Sequence, residues 1–230
     1  LVQAERPCVL FGSQTWTSRA ADEAKEFART LNIPAYMNGS GRGTFPPGDP
    51  HHFHRTRRMA FEKADVIVIV GTPFDFRMGY GRRLSNDATV VQIDLEYRTV
   101  GKNRDIAFGL VGDIGRVLAA VLAATTGTVD NGAKRRQGWL DELREAEHVA
   151  YEKLMPSFKS DNVPINPYRV AYELNEFLTE ATIYIGDGGD VVTITAQAVQ
   201  PRQPGHWMYP GPLGPLCIGV PFAMAAEYAP

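Results

Sequence analysis

The chain has 230 residues, with 24 Lys and Arg against 26 Asp and Glu. That balance gives no long-range field for nucleic acid or an anionic membrane surface, and it directs the reading toward small-molecule partners. Only Cys8 and Cys217 are present, which argues against a disulfide framework and for a reducing, cytoplasmic location; no apolar run reaches bilayer-spanning length. The hydrophobic share of 44% is ample for packed cores in one or two domains. The opening Leu1 to Pro7 reads as neither a signal peptide nor a natural initiator, so a piece cut from a longer chain is expected.

In chain order, Cys8 to Gly12 is an apolar run closing on glycine, followed by Ala20, Ala21, Ala24, Phe27, Ala28 and Leu31 at helical spacing. Ile33 to Met37 is expected as a second strand. Asn38-Gly39-Ser40-Gly41-Arg42-Gly43 then forms a glycine-rich loop, open to two readings: a plain turn, or a backbone cradle for phosphate. His51, His52 and His54 lack partners at ligand spacing, so they are read as a solvated loop before a helix near Arg55 to Lys63, and no metal site is assigned.

The element that organises the rest is Val66-Ile67-Val68-Ile69-Val70, an unbroken β-branched run that suits a parallel strand covered on both faces. Gly71, Thr72, Phe74 and Arg77 begin the loop at its carboxyl end, where open α/β sheets place ligands. Val90 to Asp94 is the next strand, and Asp94 is either a turn residue or an acceptor for a ribose hydroxyl. Ile114, Val117, Leu118, Val121 and Leu122 mark a covering helix that ends near Thr125-Thr126-Gly127.

A polar stretch with Lys134-Arg135-Arg136 is expected as a linker with a solvated charge run, and Trp139 to Leu154 as a charged helix. Asn166-Pro167 signals another helix start, and Thr182 to Ile185 a strand running into Gly186-Asp187-Gly188-Gly189-Asp190. Small residues from Gly211 to Pro221 precede an Ala-rich helix. The expected fold class is α/β: a parallel-sheet, Rossmann-like domain over residues 1–125, a linker and helix over 126–163, and the start of a second α/β unit over 164–230.

Taken together, Gly41-x-Gly43 with Pro46 and Asp49-Pro50, Ala64-Asp65 to Gly71, Phe74 to Arg77, Gln92-Ile93-Asp94, Gly101-Lys102-Asn103 and Gly112-Asp113 resemble the central domain of thiamine-diphosphate-dependent enzymes, with acetolactate synthase large subunits nearest. Asp187-Gly188-Gly189 and Gly214-x-Leu216-x-x-Gly219-x-Pro221 resemble the opening half of that family's diphosphate-binding domain. The resemblance implies a carboligase or decarboxylase of 2-keto acids, a homo-dimer or tetramer at full length, serving branched-chain amino acid biosynthesis. Asp187, Gly189, Asp190, Gly214 and Leu216 match positions that approach thiamine diphosphate: the carbonyl of Gly214 facing the aminopyrimidine, Leu216 as the wedge between the rings. It also implies that the activating glutamate precedes Leu1. The Mg²⁺ ligands are expected beyond Pro230, since no asparagine follows Asn175. No catalytic residue is therefore assigned in this chain, which is expected to be inactive alone.

A nucleotide surface built from Gly41, Gly71, Thr72, Phe74, Arg77 and Asp94 is expected, with FAD or ADP as its ligand. Phe53-His54-Arg55 and Pro73 to Arg77 depart from the family's FAD residues, which leaves both nucleotides open. An oxalyl-CoA decarboxylase or 2-hydroxyacyl-CoA lyase-like enzyme, and a non-catalytic nucleotide-binding module, are the alternatives.

Overall fold

The computed structural model describes residues 1–125, 132 and 134–228. The first half runs Pro7–Phe11 (β1), Ser13–Thr17 (α1), Ala21–Leu31 (α2), Ala35–Met37 (β2), Arg57–Lys63 (α3), Val66–Val70 (β3), Thr89–Asp94 (β4), Phe108–Val111 (β5) and Ile114–Thr125 (α4). All five strands are parallel, in the order β2-β1-β3-β4-β5. The order reverses between β1 and β3. In doubly wound sheets this switch point opens a crevice at the strands' carboxyl ends.

The unbroken apolar runs follow from burial on both faces. Val9, Phe11, Val68, Val70 and Ile93 point to one side, where α2 and α4 contribute Phe27, Leu31, Ile114 and Leu118. Cys8, Leu10, Ile67, Ile69 and Val90 point to the other, against Ala60 and Phe61 of α3. Successive strand residues alternate sides, so two apolar layers require apolar residues at every position. The short edge strand β5 is mostly exposed, and its Phe-Gly-Leu-Val sequence carries no alternation by which to expect it.

The second half begins with Gln137–Glu152 (α5) and Met155–Phe158 (α6), then Pro167–Glu173 (α7), Tyr184–Ile185 (β6), Asp190–Ala198 (α8), Trp207–Met208 (β7) and Gly219–Glu227 (α9). The segment expected as a linker lies in part outside the described residues, at 126–131 and 133. Helix α5 returns to the first sheet: Trp139, Leu140 and Leu143 join the layer of Leu10, Ile67 and Ile69, and the Trp139 indole donates to the carbonyl of Pro7 at 3.0 Å. Asn166 caps α7, its side chain accepting from the Tyr168 amide at 2.9 Å, with Pro167 in the first turn. Strands β6 and β7 form a separate parallel pair, with Tyr184 and Trp207 stacked 4.9 Å apart.

Two surface expectations are corrected. Arg136, read as part of a solvated run, is 1% exposed and donates to the carbonyls of Leu1, Ala4 and Leu31, gathering the chain's start onto the end of α2. The histidines at 51, 52 and 54 are half-buried rather than solvated, because α5 and the residues after α8 pack over their loop. Burial, followed by the nearby Arg42, pushes His52 down to about 4, and the same causes hold His54 well below the usual histidine range.

Candidate functional site

Three loops meet at the switch point because three glycines let them. A Cβ at Gly12 would stand 2.4 Å from the Gly71 carbonyl oxygen, and one at Gly41 would stand 2.7 Å from those of Phe11 and Gly12. Gly71, at φ +63°, faces Gln14, whose Cβ an added methyl would meet at 2.6 Å. Since the obstacle at Gly12 is backbone, Gly12→Ala is expected to destabilise the chain by about 2 kcal/mol, the scale of overpacking. An unchanged urea midpoint would refute this account.

Gln14 crosses the crevice. Its amide donates to Asp94 Oδ1 at 2.9 Å, and its carbonyl accepts from the Leu95 amide at 3.0 Å, tying the end of β1 to that of β4. Asp94 Oδ1 also accepts from the Glu96 amide at 2.9 Å. Asp94 Oδ2 has no partner among the described residues, although the side chain is fully buried. A buried carboxylate oxygen without a donor is costly, and a ligand hydroxyl would satisfy it.

The other expected nucleotide residues are placed differently. Thr72 Oγ1 accepts from the Asn38 side chain at 3.3 Å. The Phe74 ring belongs to the core, and its carbonyl accepts from Asn103 at 2.9 Å. Arg77 is clamped by Asp75, with Nη2 2.5 Å from Oδ2, and donates to the Tyr209 hydroxyl at 2.6 Å. Arg77 thus joins the strand-end loops to the segment after β7. Gln14 and Tyr209 were missed by sequence reading; the signal for Gln14 was a polar residue two positions after a glycine-ended strand.

The residues matched to thiamine diphosphate also converge. The Asp187 carboxylate accepts from the amides of Ile218 at 3.2 Å and Gly219 at 3.1 Å, holding the start of α9. That brings the 186–190 loop against the 214–219 loop: a Cβ at Gly188 would lie 2.1 Å from Leu216 Cδ2. Leu216 is 69% exposed beside this junction, and nothing lies within 4 Å of a Cβ at Gly214. Gly189, at φ +62°, precedes α8, and exposed Asp190 is its first residue. An apolar side chain standing free over a glycine loop, with open space at Gly214, fits a cofactor's rings. Among the described residues, no group of three or more His, Cys, Asp or Glu is placed to hold a metal ion, and no helix is long and apolar enough to cross a membrane.

Comparison with known proteins matches the same segments. Residues 1–121 match the family described as thiamine pyrophosphate enzyme, central domain. The chain is 33% identical over 229 residues to an acetolactate synthase large subunit of Mycobacterium tuberculosis, covering 100% of this chain and 41% of the relative. It is 34% identical over 236 residues to 2-hydroxyacyl-CoA lyase 2 of Homo sapiens, covering 99% of this chain and 36% of that protein. The chain therefore spans well under half the length of these relatives. A family match over more than half of the chain, on the doubly wound sheet expected of it, shows that this chain belongs to the thiamine pyrophosphate enzymes.

Proposed function

We propose that this chain is the central domain and the first part of the diphosphate-binding domain of a thiamine-diphosphate-dependent enzyme that joins or cleaves carbon–carbon bonds beside the carbonyl of a small 2-keto acid, as in acetolactate synthase. The observation that carries this reading is the junction of the 186–190 and 214–219 loops, pinned by Asp187, with Leu216 exposed over Gly188. Bound thiamine diphosphate supplies a stabilised carbanion; the protein's part is to position it. Leu216 would wedge the rings into the reactive conformation, a proximity effect, while Gly188 and Gly189 let backbone approach the diphosphate. In this reading the Mg²⁺ ligands and the activating glutamate come from other parts of the polypeptide, the working form is a homo-dimer or tetramer, and the pathway is branched-chain amino acid biosynthesis. The free thiols of Cys8 and exposed Cys217 favour the reducing cytoplasm. In the intact enzyme, Leu216→Ala should lower kcat by about a hundredfold, the scale of a lost positioning effect, with KM for pyruvate little changed. An unaltered kcat would sink the assignment.

The strand-end crevice has its own part in this reading: it holds an adenine nucleotide, ADP or the ADP half of FAD, with a ribose hydroxyl on Asp94 Oδ2. Calorimetric titration of the chain with ADP and with FAD checks it. Asp94→Asn, which replaces the charged acceptor by an amide, should weaken binding about tenfold, the worth of one hydrogen bond to a charged group. No heat from either nucleotide at millimolar concentration, or affinity unmoved by the substitution, would show the crevice to be structural only.

A further inference from the structure

Of the two oxygens that Asp94 could offer a ligand in the strand-end crevice, Gln14 takes one away. An amide side chain accepts at one end and donates at the other, whereas a backbone N–H only donates. The Leu95 amide, 3.0 Å from Gln14 Oε1, therefore fixes the carbonyl end just beyond β4. The NH₂ end is left to face Asp94 Oδ1 at 2.9 Å. The Gln14 backbone is held as well: its amide donates to the Gly71 carbonyl at 3.2 Å, and a Cβ at Gly71 would meet that of Gln14 at 2.6 Å. Neither end of the side chain turns without breaking a bond.

Each oxygen of a carboxylate has room for about two donors. Asp94 Oδ1 receives both from within the chain, one from Gln14 and one from the Glu96 amide at 2.9 Å. Oδ2 receives none among the described residues, although the side chain is fully buried. Rotating the carboxylate to share a ligand between its two oxygens would strain or break the bonds at Oδ1, and bonds to a charged acceptor are the costly ones to lose. A carboxylate free of such ties can accept two neighbouring ribose hydroxyls, one on each oxygen. Tied by Gln14, it has an acceptor for one.

We propose that Gln14 is a positioning residue that makes Asp94 read a single hydroxyl: by saturating Oδ1 it leaves the crevice to bind one ribose hydroxyl of its nucleotide and to ignore the other. This rests on the reading of the crevice as an adenine-nucleotide site. The chain should be titrated calorimetrically with ADP, 2′-deoxy-ADP and 3′-deoxy-ADP. One deoxy nucleotide should bind about tenfold more weakly than ADP, the worth of one hydrogen bond to a charged group, and the other should match ADP within about twofold. Gln14→Leu keeps the size of the side chain and removes its donor, which frees Oδ1. In that variant the two deoxy nucleotides should bind within about twofold of each other. Because the ratio compares two ligands on the same folded protein, a loss of stability in the variant weakens both alike and does not move it. The wild-type measurement is decisive even where the variant does not fold. Equal affinities of the two deoxy nucleotides in wild type, or a preference that Gln14→Leu leaves intact, would overturn the role of Gln14 while the binding of ADP and its dependence on Asp94 stand. Failure of ADP itself to bind would instead remove the nucleotide reading of the crevice, and this inference with it.

Discussion

Glu147→Ala should lower the unfolding free energy of the chain by about 3 kcal/mol, although the side chain belongs to a helix outside the central sheet. Glu147 on α5 accepts from the backbone amides of His54 at 3.2 Å, Arg55 at 2.8 Å and Thr56 at 3.0 Å, and from the Thr56 hydroxyl at 3.0 Å. These groups lead into α3, whose N-cap Thr56 makes no side-chain cap of its own. A carboxylate some 90 positions away in sequence thus serves the amides of the turn that leads into the helix, that of the N-cap Thr56 among them. Hydrogen bonds to a charged acceptor are worth about 1.5 to 3 kcal/mol each, but water reaches part of this site, so the sum falls well below three full bonds. Arg55 would also lose its counter-ion. Urea denaturation of wild type, Glu147→Ala and Glu147→Gln measures it, the glutamine variant falling between the other two. A loss below about 1 kcal/mol for alanine would mean that water replaces the carboxylate freely.

The second large effect is a loss of stability on mild acidification. Burial pushes His52 down to about 4 in the folded chain and holds His54 well below the usual histidine range, against about 6.5 when unfolded. Both are depressed first by burial and then by Arg42, with Arg55 adding to it; Glu147 and Asp49 oppose the shift at His52. Between those limits the unfolded chain binds more protons than the folded one, so stability rises with pH. It is intact above about pH 6.5 and declines as pH falls toward 4, where His52 alone accounts for about 3 kcal/mol. Despite its burial, Asp49 is held below the usual carboxylate range by Arg29 and the His51 amide, so its own contribution is lost only at lower pH. The melting temperature should fall steadily from pH 7 to pH 5, and His52→Gln with His54→Gln should flatten the profile. A flat wild-type curve over that interval would contradict the burial of these rings.

What the sequence conveyed were the features written locally. The β-branched run of β3, glycine at the strand ends, the acidic close of β4 and the Asn166-Pro167 cap each depend on neighbours a few positions away, and each stands where it was expected. The rest depends on partners far along the chain. Arg136 looked like one cation in a solvated run because its acceptors, Leu1, Ala4 and Leu31, lie more than 100 positions earlier. His54 looked exposed because the groups that bury it come from α5 and from the residues after α8. Arg77 was open to a ligand in sequence terms and is occupied by Asp75 and Tyr209 in the fold. At the strand ends, the placement of Asp94 and the glycines was legible, whereas the cross-links by Gln14 and Tyr209 came only with the tertiary contacts.

The return of α5 across the sheet bears on how this domain can be inherited or transplanted. A gene segment ending at Thr125 would encode five strands with one face only partly covered, because Trp139, Leu140 and Leu143 supply part of the cover for Leu10, Ile67 and Ile69. It would also leave the approach to α3 without Glu147 and the chain's start without Arg136. A segment carried through Phe158 brings all of these with it. What reads as a connector between two modules is, in recombination, cargo of the first: a chimaera joined upstream of it starts life with an exposed apolar face and a predisposition to aggregate.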